Sequence, residues 1–512
     1  TIAPGDIGNI ETLTVDGSAV LSSGSSLMID IGSNGISDVL SITGDSSLGG
    51  TVFFNPNLGV RSGNTYTFLT TSGLQSGELS AANISSILTP VLTHNINSVT
   101  ALIEAGSYNN AISTSNSLHA SYAKLLDSNR DLGGLDAVYA TLDLSSDSQI
   151  QEVLTSWAPE AEMTVRSLAK ATTDTLSQFH SSRLRIMETG SWSGGSISVM
   201  GSPGKIASHQ DAMAPMSNVE VSDMDNEASI KTNKKIADDY SIYLAGSFID
   251  GSASVMPFSS NLEKEHFDGW TLSAGIEHAV SENIKLGASL SYTDLSLNDQ
   301  AAKSVNSNHA AVTLYGQLQS KSNLVLSGQF SIGSFDTSTE RNIVFPASYA
   351  LSSEDENLSV TSKIQLSKPL KMSDFTLIPK VGLQTAMVDF NDVLETGGIT
   401  ALNIDRKYYS STQGRLGLDI VSNKNSNFYM RISGDVVNEF DDSLNVFRAG
   451  FAQNNGESAN FLLAGTDQFW GEVGAGFAFE IDKAVMSLSV DTTVGRDDLS
   501  TQSYRAGITF KF

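Results

Sequence analysis

The chain contains no cysteine, and its seven histidines are scattered without HExxH or paired spacing. The first absence excludes a disulfide framework and a cysteine-ligated metal, and the second favours surface or loop histidines over metal ligands. There is also no GxSxG elbow and no phosphate-binding P-loop. We therefore predict no metal, no cofactor and no catalytic residues, and a function that is not enzymatic.

Basic residues are few, with 30 Lys and Arg against 56 Asp and Glu and a formal net charge of −26. This balance excludes nucleic acid as a partner, because phosphates are bound by clusters of Lys and Arg. A solubilising acidic surface is favoured over specific cation binding. Asp223, Asp225 and Glu227 lack the glycine of a calcium loop, so we interpret them as part of a solvated linker.

Long apolar runs are absent too, since none reaches the ~20 residues that a membrane-spanning helix needs. Any structure that crosses a membrane must then be a closed β-barrel. The chain begins at Thr1 without a charged segment followed by an apolar one. This start predicts that a signal peptide has been removed or that the chain is a fragment of a longer protein.

Beyond Tyr240, apolar and polar residues alternate in about twelve segments of roughly ten residues, an even number that is typical of a membrane barrel. In the third segment, Ile284, Leu286 and Leu290 share one face and Lys285 the other. One face of the strands is nearly free of charge, and a soluble β-fold, the alternative, would bury the other at several kcal/mol per charge. A hydrated lumen can hold these charges, so we predict that the following residues face it: Glu277, Lys285, Lys363, Lys380, Arg415, Asp419, Arg431, Asp435, Glu472, Glu480 and Arg505.

The connections between these segments alternate between short and long. Bacterial barrels have short periplasmic turns and long outer loops, so the alternation places both the start of the barrel and Phe512 on the periplasmic side. The predicted outer loops are Ser252 to Asp268, Leu295 to Asn308, Phe335 to Asn357, Asp389 to Ile404 and Asn438 to Gln468.

The first part of the chain contains short apolar segments between Ile10 and Leu69, separated by Gly, Asn, Asp and Ser. Their spacing predicts rungs of a β-solenoid, with a small β-sandwich as the alternative. Helical spacing of apolar residues follows from Asn110 to Leu144. Ser146 and Gln149 then form a capping box that begins one more short helix.

A long helix is predicted from Ala158 to Met187. Pro159 is placed at its first position, Glu160 in its first turn, and Arg183 and Arg185 in its last turn. No face of the helix carries a continuous stripe of Leu, Ile and Val, and Arg166 and Lys170 add charge along its length. A polar tunnel therefore suits this helix. At ~1.5 Å per residue it is long enough to cross the roughly 30 Å of a bilayer core. An amphipathic surface helix is the alternative interpretation.

Taken in order, these segments resemble the translocator unit of the classical (type Va) autotransporters of Gram-negative bacteria. SDVLSITGDSSLGGTVFF with GNTYTFLTTSGLQSGEL resembles the end of a β-helical passenger, and VLTSWAPEAEMTVRSLAKATTDTLSQF resembles the helix that leads into the pore. YRAGITFKF is similar to the family's assembly signal, which would here comprise Tyr504, Ile508, Phe510 and Phe512.

The resemblance implies a mainly β fold, in which terminal β-solenoid rungs precede a 12-stranded antiparallel transmembrane β-barrel with a helix in its pore. Such a protein inserts in the outer membrane, exports its N-terminal passenger to the cell surface and anchors it there. Residues Ile10 to Glu104 would act as an autochaperone-like folding nucleus. The implied partners are the bilayer, lipopolysaccharide, the barrel-assembly machinery and periplasmic chaperones, and the barrel would be a monomer.

The predicted division of the chain has five parts: 1–109 as the end of the passenger, 110–157 as a short helical linker, 158–187 as the pore helix, 188–239 as a linker or insertion with one strand in SISVMG, and 240–512 as the barrel. A porin-like channel is one alternative function. A surface adhesin acting through the solenoid and outer loops, with a role in virulence, is another.

Some autotransporters cut their passenger free inside the barrel with an Asn of the helix or with lumen carboxylates. Here the predicted helix contains no Asn, and the pair Asn109 and Asn110 lies far upstream in a predicted turn. We interpret Glu277, Glu472 and Glu480 as ion-pair partners of the helix cations, not as acid–base groups. No self-cleavage is therefore favoured.

Overall fold

The structure, a computed structural model, describes residues 1–57, 59–188, 196–200, 240–259, 263–299, 303–422, 428–441, 445–453, 456–481 and 484–511. Everything below concerns these residues. Among the helices of these ranges, none is both long and apolar enough to cross a membrane.

Residues 12–81 form a solenoid of three parallel ladders, so the sandwich alternative is wrong. Each rung contributes one strand to each ladder, and its apolar side chains, such as Ile29, Val52 and Phe68, are fully buried between the ladders. An antiparallel hairpin then pairs with the last rung and ends the solenoid. The strands are β1 (Thr12–Val15), β2 (Ala19–Val20), β3 (Ser26–Ile31), β4 (Val39–Ile42), β5 (Ser46–Leu48), β6 (Thr51–Pro56), β7 (Thr65–Thr71), β8 (Gln75–Gly77), β9 (Ser80–Ala81), β10 (Leu88–His94) and β11 (Ser98–Ala105).

Four helices follow: α1 (Ser117–Asn129), α2 (Asp136–Leu142), α3 (Asp147–Ser156) and α4 (Ala161–Glu188). The predicted capping box is present at the start of α3, where Ser146 accepts a hydrogen bond from the backbone of Gln149 and the Gln149 side chain accepts one in return. Helix α4 begins at Ala161. The placement of Pro159 at the first helical position is therefore wrong, because residues 158–160 form a tight turn between α3 and α4 in which Ala158 O accepts from Glu160 N.

Within residues 240–511, twelve long strands each pair antiparallel with the next, and the first pairs with the last to close a barrel. The strands of the wall are β13 (Tyr240–Ala253), β14 (Glu265–Ser281), β15 (Ile284–Asp299), β16 (Lys303–Gln319), β17 (Val325–Ile343), β18 (Tyr349–Ser367), β20 (Phe375–Asp389), β23 (Tyr409–Ser422), β24 (Phe428–Glu439), β27 (Phe469–Ile481), β28 (Ala484–Val494) and β29 (Leu499–Lys511). The predicted 12-stranded antiparallel barrel is confirmed.

The remaining short strands belong to the connections. They are β12 (Ser196–Met200), β19 (Leu370–Lys371), β21 (Val393–Leu394), β22 (Leu402–Asp405), β25 (Val446–Phe451) and β26 (Ala459–Leu462). Strands β21, β22, β25 and β26 form a separate antiparallel sheet, here called the loop sheet. It lies in the β20–β23 and β24–β27 connections, and the end of the barrel that carries it is called the outer end.

Two of the predicted long loops, Leu295 to Asn308 and Phe335 to Asn357, are wrong. Strands β15 to β18 continue through most of both segments, since β15 extends to Asp299, β16 begins at Lys303, and residues 344–348 alone separate β17 from β18. Their alternation changes phase in the outer half of the barrel: Leu295 and Phe335 point inward and are fully buried, while Asp294 and Asp336 take the outward parity. The last outward apolar residue therefore lies well before the end of each strand, and a strand boundary predicted from the outward apolar residues is too short.

Strand β12 confirms the strand predicted in SISVMG, and it lies in the barrel wall. It pairs antiparallel with β29, from Ser196 opposite Lys511 to Met200 opposite Gly507, and parallel with β13. Strands β13 and β29 pair directly only over Phe248–Ala253 and Leu499–Tyr504. The rest of the predicted linker, residues 189–195 and 201–239, lies outside the described residues.

Candidate functional site

Helix α4 lies inside the barrel, as predicted. It contacts the inner faces of β15, β16, β17 and β18 and also β29, and nearly all of its described side chains are buried. Most of its hydroxyl groups are buried as well. Ser177, for example, donates to Gln384 Oε1 at 2.7 Å and accepts from Gln329 Nε2 at 2.8 Å. The polar side chains of the helix, from which a polar tunnel was predicted, thus lie against the polar inner face of the barrel.

The outer end of the helix is held by two groups of buried charges. Glu160, in the preceding turn, lies 3.4 Å from Lys303, which also contacts Glu265. Glu162 receives two hydrogen bonds from the guanidinium of Arg406, at 2.6 and 2.7 Å. Because an unpaired charge is costly to bury, removing one partner from either group is expected to destabilise the protein.

A second network surrounds the middle of the helix. Lys170 forms an ion pair with Asp498, and Arg496 donates to both Asp498 (3.0 Å) and Asp174 (3.1 Å). The Arg496 guanidinium also lies 4.1 Å from the centre of the Trp470 ring. Since Arg496 and Asp498 lie in the short β28–β29 connection, this network joins the helix to the turn that precedes the last strand.

The inner end of the helix is held by Arg183. Its guanidinium donates to both carboxylate oxygens of Glu277, at 2.9 and 3.0 Å, and lies 4.1 Å from the Tyr243 ring centre. Tyr315 Oη donates to the same carboxylate at 2.9 Å. His180, one turn earlier, lies 2.7 Å from Ser289 Oγ. Glu277 therefore accepts hydrogen bonds from Arg183 Nε, Arg183 Nη2 and Tyr315 Oη, and it serves as the ion-pair partner of Arg183.

On the side away from β15–β17, a small cavity of about 40 Å³ lies between the helix and the wall. Its lining is charged but paired: Lys380 donates to Asp419 (2.8 Å) and Asp435 (3.0 Å), and Arg415 forms an ion pair with Glu472. Other predicted lumen residues contact the helix directly. Lys363 donates to Ser181 Oγ at 2.9 Å, Lys285 donates to Met187 O, and Arg185 lies 3.9 Å from Asp419.

Other predicted site residues have different surroundings. Arg166 donates to Asn445 Oδ1 (3.3 Å) and Lys407 O (3.1 Å) of the outer connections, not to a lumen glutamate. Glu472 pairs with Arg415, and the helix contributes Gln178 to it at 3.3 Å. Arg431 and Arg505 each donate to a serine on their own strand, Ser433 and Ser503, at 3.1 and 3.2 Å.

Part of the predicted assembly signal lies outside what the structure describes. The side chains of Ile508 and Phe510, and all of Phe512, belong to that part, and the side chain of the predicted lumen residue Glu480 also lies outside the described residues. Tyr504 is on the outward face of β29, 41% exposed, and its hydroxyl donates to Gln502 at 2.7 Å.

Several charged residues in the outer half of the site were not predicted from the sequence: Asp174, Glu265, Lys303, Arg406, Arg496 and Asp498. The sequence predicts loops or turns at four of these positions, Lys303, Arg406, Arg496 and Asp498. The sequence did contain one indication of this network. Asp174 is an acidic residue one turn after Lys170, and charges on a buried helix require partners of opposite charge.

The outward face of the barrel forms an apolar belt. Leu286, Leu290, Leu314, Phe330 and Leu416 are among its members, with exposed fractions from 49% to 66%. Exposed apolar surface of this extent requires an apolar surrounding, and a closed barrel satisfies every backbone hydrogen bond within it. Charged lumen and apolar belt together describe a wall between water and lipid.

Residues 251–493 match the family model of the autotransporter beta-domain. The barrel is an autotransporter β-domain. It is accordingly a protein-transport barrel of the Gram-negative outer membrane with transmembrane β-strands. No curated protein matches its sequence.

Solved structures similar to the autotransporter include the translocator domain of NalP from Neisseria meningitidis, with 13% identity, a TM-score of 0.43, and coverage of 55% of this chain and 90% of that one. The β-domain of BrkA from Bordetella has 13% identity and a TM-score of 0.37, covering 54% and 100%. The toluene transporter TodX from Pseudomonas putida has 10% identity and a TM-score of 0.34, covering 53% and 88%. Identities and TM-scores this low do not define a family, which is identified for the barrel by the match of residues 251–493.

Proposed function

We propose that this autotransporter exports its own N-terminal part through the barrel and then holds it at the cell surface. The observation that carries the proposal is the path of the chain. The solenoid and helices α1–α3 precede α4, and α4 enters the barrel at its outer end and runs through the lumen to the inner end. One polypeptide thus connects an outer module to the wall of its own pore.

The charged lumen supports transport of an extended chain. Polar and ionised side chains on the inner face favour water in the pore, where backbone groups in transit can be solvated. The same charges support anchoring afterwards. Breaking one buried ion pair by removing a partner costs about 3–5 kcal/mol, and α4 has such pairs at its outer end, its middle and its inner end.

The path of the chain also bears on the alternatives. A porin-like channel needs a continuous aqueous passage, whereas α4 occupies the lumen here and its side chains are buried against the wall. Adhesion through the solenoid or outer connections stays a prediction. We also propose that Glu277 and Glu472 take no part in cleavage of the passenger, since each is hydrogen-bonded to a basic partner.

The membrane partners are part of the proposal. A monomeric barrel would be surrounded by bilayer lipid and lipopolysaccharide along its apolar belt. Periplasmic chaperones and the barrel-assembly machinery would deliver it, with the strand that contains Tyr504 as the recognition signal.

The test places a signal peptide and an epitope tag ahead of Thr1 and expresses the chain in a Gram-negative host. Intact cells are then treated with an external protease. We expect loss of the tag while a membrane-embedded fragment survives. A matched control carries the tag between the signal peptide and Tyr240, so that the barrel has nothing to export. A protected tag on a correctly inserted full-length chain would contradict export.

A further inference from the structure

Helices α1–α3, with the turn that leads to α4, form a small module that cannot bury its own core. The helices are 13, 7 and 10 residues long, and isolated helices of this length are marginal in water. Yet Tyr122, Leu126, Leu154 and Trp157 are all at most 1% exposed. The surface that covers them must come from elsewhere in the chain.

The loop sheet supplies that surface. Phe447 and Phe461, each at most 1% exposed, stack with ring centroids 5.3 Å apart. The Tyr122 ring meets Phe461 edge-on at 5.1 Å and Trp157 edge-on at 5.7 Å. Two short hairpins are as marginal alone as the helices are. One apolar core is therefore shared between the barrel's outer connections and the segment that precedes the pore helix.

Buried polar contacts fix where the module sits. Trp157 donates its indole N–H to Phe345 O at 3.0 Å. Trp157 O accepts from Tyr122 Oη (2.6 Å) and from Arg341 Nη1 (3.0 Å). Arg341 belongs to strand β17, and Glu395 of the β20–β23 connection accepts two hydrogen bonds from it, at 2.6 and 2.7 Å. Wall, loop and module thus meet around Trp157.

The module in turn carries the solenoid. Asp143, at the end of α2, accepts two hydrogen bonds from Arg130 (2.8 and 3.0 Å) and one from Tyr108 Oη at 2.7 Å. Its backbone carbonyl accepts from Ser85 Oγ at 2.5 Å, just ahead of the closing hairpin of the solenoid. The contacts form a continuous series from the barrel to the loop sheet, then to the module and to the last solenoid strands.

We propose that the loop sheet is the seat on which residues 108–157 fold once they are outside, and that this docking holds the exported chain against return through the pore. The inference rests on the proposed export function. A folded module has no room in a lumen that one helix occupies, so the segment must pass unfolded. The loop sheet belongs to the barrel and lies at the outer end, where the segment emerges. This assigns the first folding step to the barrel's connections, whereas the family resemblance assigns it to the solenoid rungs.

The experiment compares Phe461→Ser on the seat and Tyr122→Ser on the module with Leu394→Ser. Leu394 is on the loop sheet but 57% exposed, so its replacement is the matched control. Each full-length chain carries the tag ahead of Thr1. Electrophoretic heat-modifiability of the membrane fraction reports the folded barrel. External protease, applied in a dilution series, reports display of the tag and resistance of the exported fragment.

Both core variants are expected to insert folded barrels, and to lower the amount of displayed, protease-resistant fragment by about tenfold or more, because each opens a cavity in the shared core. Leu394→Ser should behave like the unmodified chain. Tyr122→Ser leaves the barrel sequence untouched, so it separates loss of the seat from barrel misfolding. An unchanged resistant fragment in both core variants would overturn the seat. A tag that is never reached in the unmodified chain would instead overturn the proposed export.

Discussion

Arg183 of the pore helix and Glu277 of strand β14 form a bidentate ion pair across the lumen, with both side chains at most 5% exposed. Because Tyr315 donates to the same carboxylate, the pair fixes both the height and the rotation of the helix. The pair lies near the inner end of α4, where Arg185, two residues further along the helix, lies 3.9 Å from Asp419.

We expect Arg183→Ala and Glu277→Ala each to destabilise the seated helix by about 3–5 kcal/mol, because each leaves a buried charge without its partner. The double variant should cost much less than the sum of the two. The measurement is the unfolding free energy of the purified barrel in urea for all four members of the cycle. Additive losses would show that the two side chains act independently.

Removal of Ala161–Glu188 should turn a nearly closed barrel into an open channel, because α4 occupies most of the lumen. Single-channel recordings in planar bilayers test this, with heat-modifiability as the control for a folded barrel. Large, steady conductance of the intact chain would contradict the plug and favour a porin-like channel.

The helical module should loosen in acid. His119 is buried, and its Nε2 lies 2.8 Å from Thr155 Oγ1, so burial lowers the pKa of this imidazole below the usual 6.5. The folded state therefore binds fewer protons than the unfolded state, and the stability due to neutral His119 is lost as the pH falls below about 6.5. Hydrogen exchange in α1 and α3 at pH 7.5 and 5.0 measures this. In His119→Gln the additional exchange at pH 5.0 should disappear, and if it persists another group is responsible.

Strand β12 should be linkable to the last strand. Ser198 lies directly opposite Thr509, and the chain has no cysteine of its own, so Ser198→Cys with Thr509→Cys would give a single defined disulfide. We expect it to form under mild oxidation of outer-membrane fractions. Ser198→Cys with Arg505→Cys, four residues out of register, is the control. Equal yields for the two pairs would contradict the strand's place in the wall.

The barrel could be predicted from the sequence because lipid on one side and charge on the other impose a period of two, as at Ile284 to Tyr292. Beyond the apolar belt this pattern fails. Leu295 and Phe335 face inward because they pack against the outer half of α4, a partner that no local pattern reveals. The strands therefore extend further than the alternation of their outward residues indicates.

One ion-pair partner could be predicted by position: Glu277 was expected to pair with a helix cation, and it pairs with Arg183. The partner of Lys170 could be predicted only by type, because Asp498 is distant in sequence and is selected by the register of the barrel. The core shared by the loop sheet and helices α1–α3 could not be predicted from the sequence for a related reason. Phe447 and Phe461 lie in a segment that the sequence predicts to be a loop, and their burial depends on helices that precede them by some three hundred residues.

The short strand in the wall gives the barrel a taper. At the level of Ile197 and Val199 the circumference includes β12 between the first and last strands, and nearer the outer end it does not. Because barrel diameter increases with strand number, the inner rim is the wider one. On the proposed export, a chain that enters from the periplasm would meet the wider rim first and would pass through the narrower part of the barrel last.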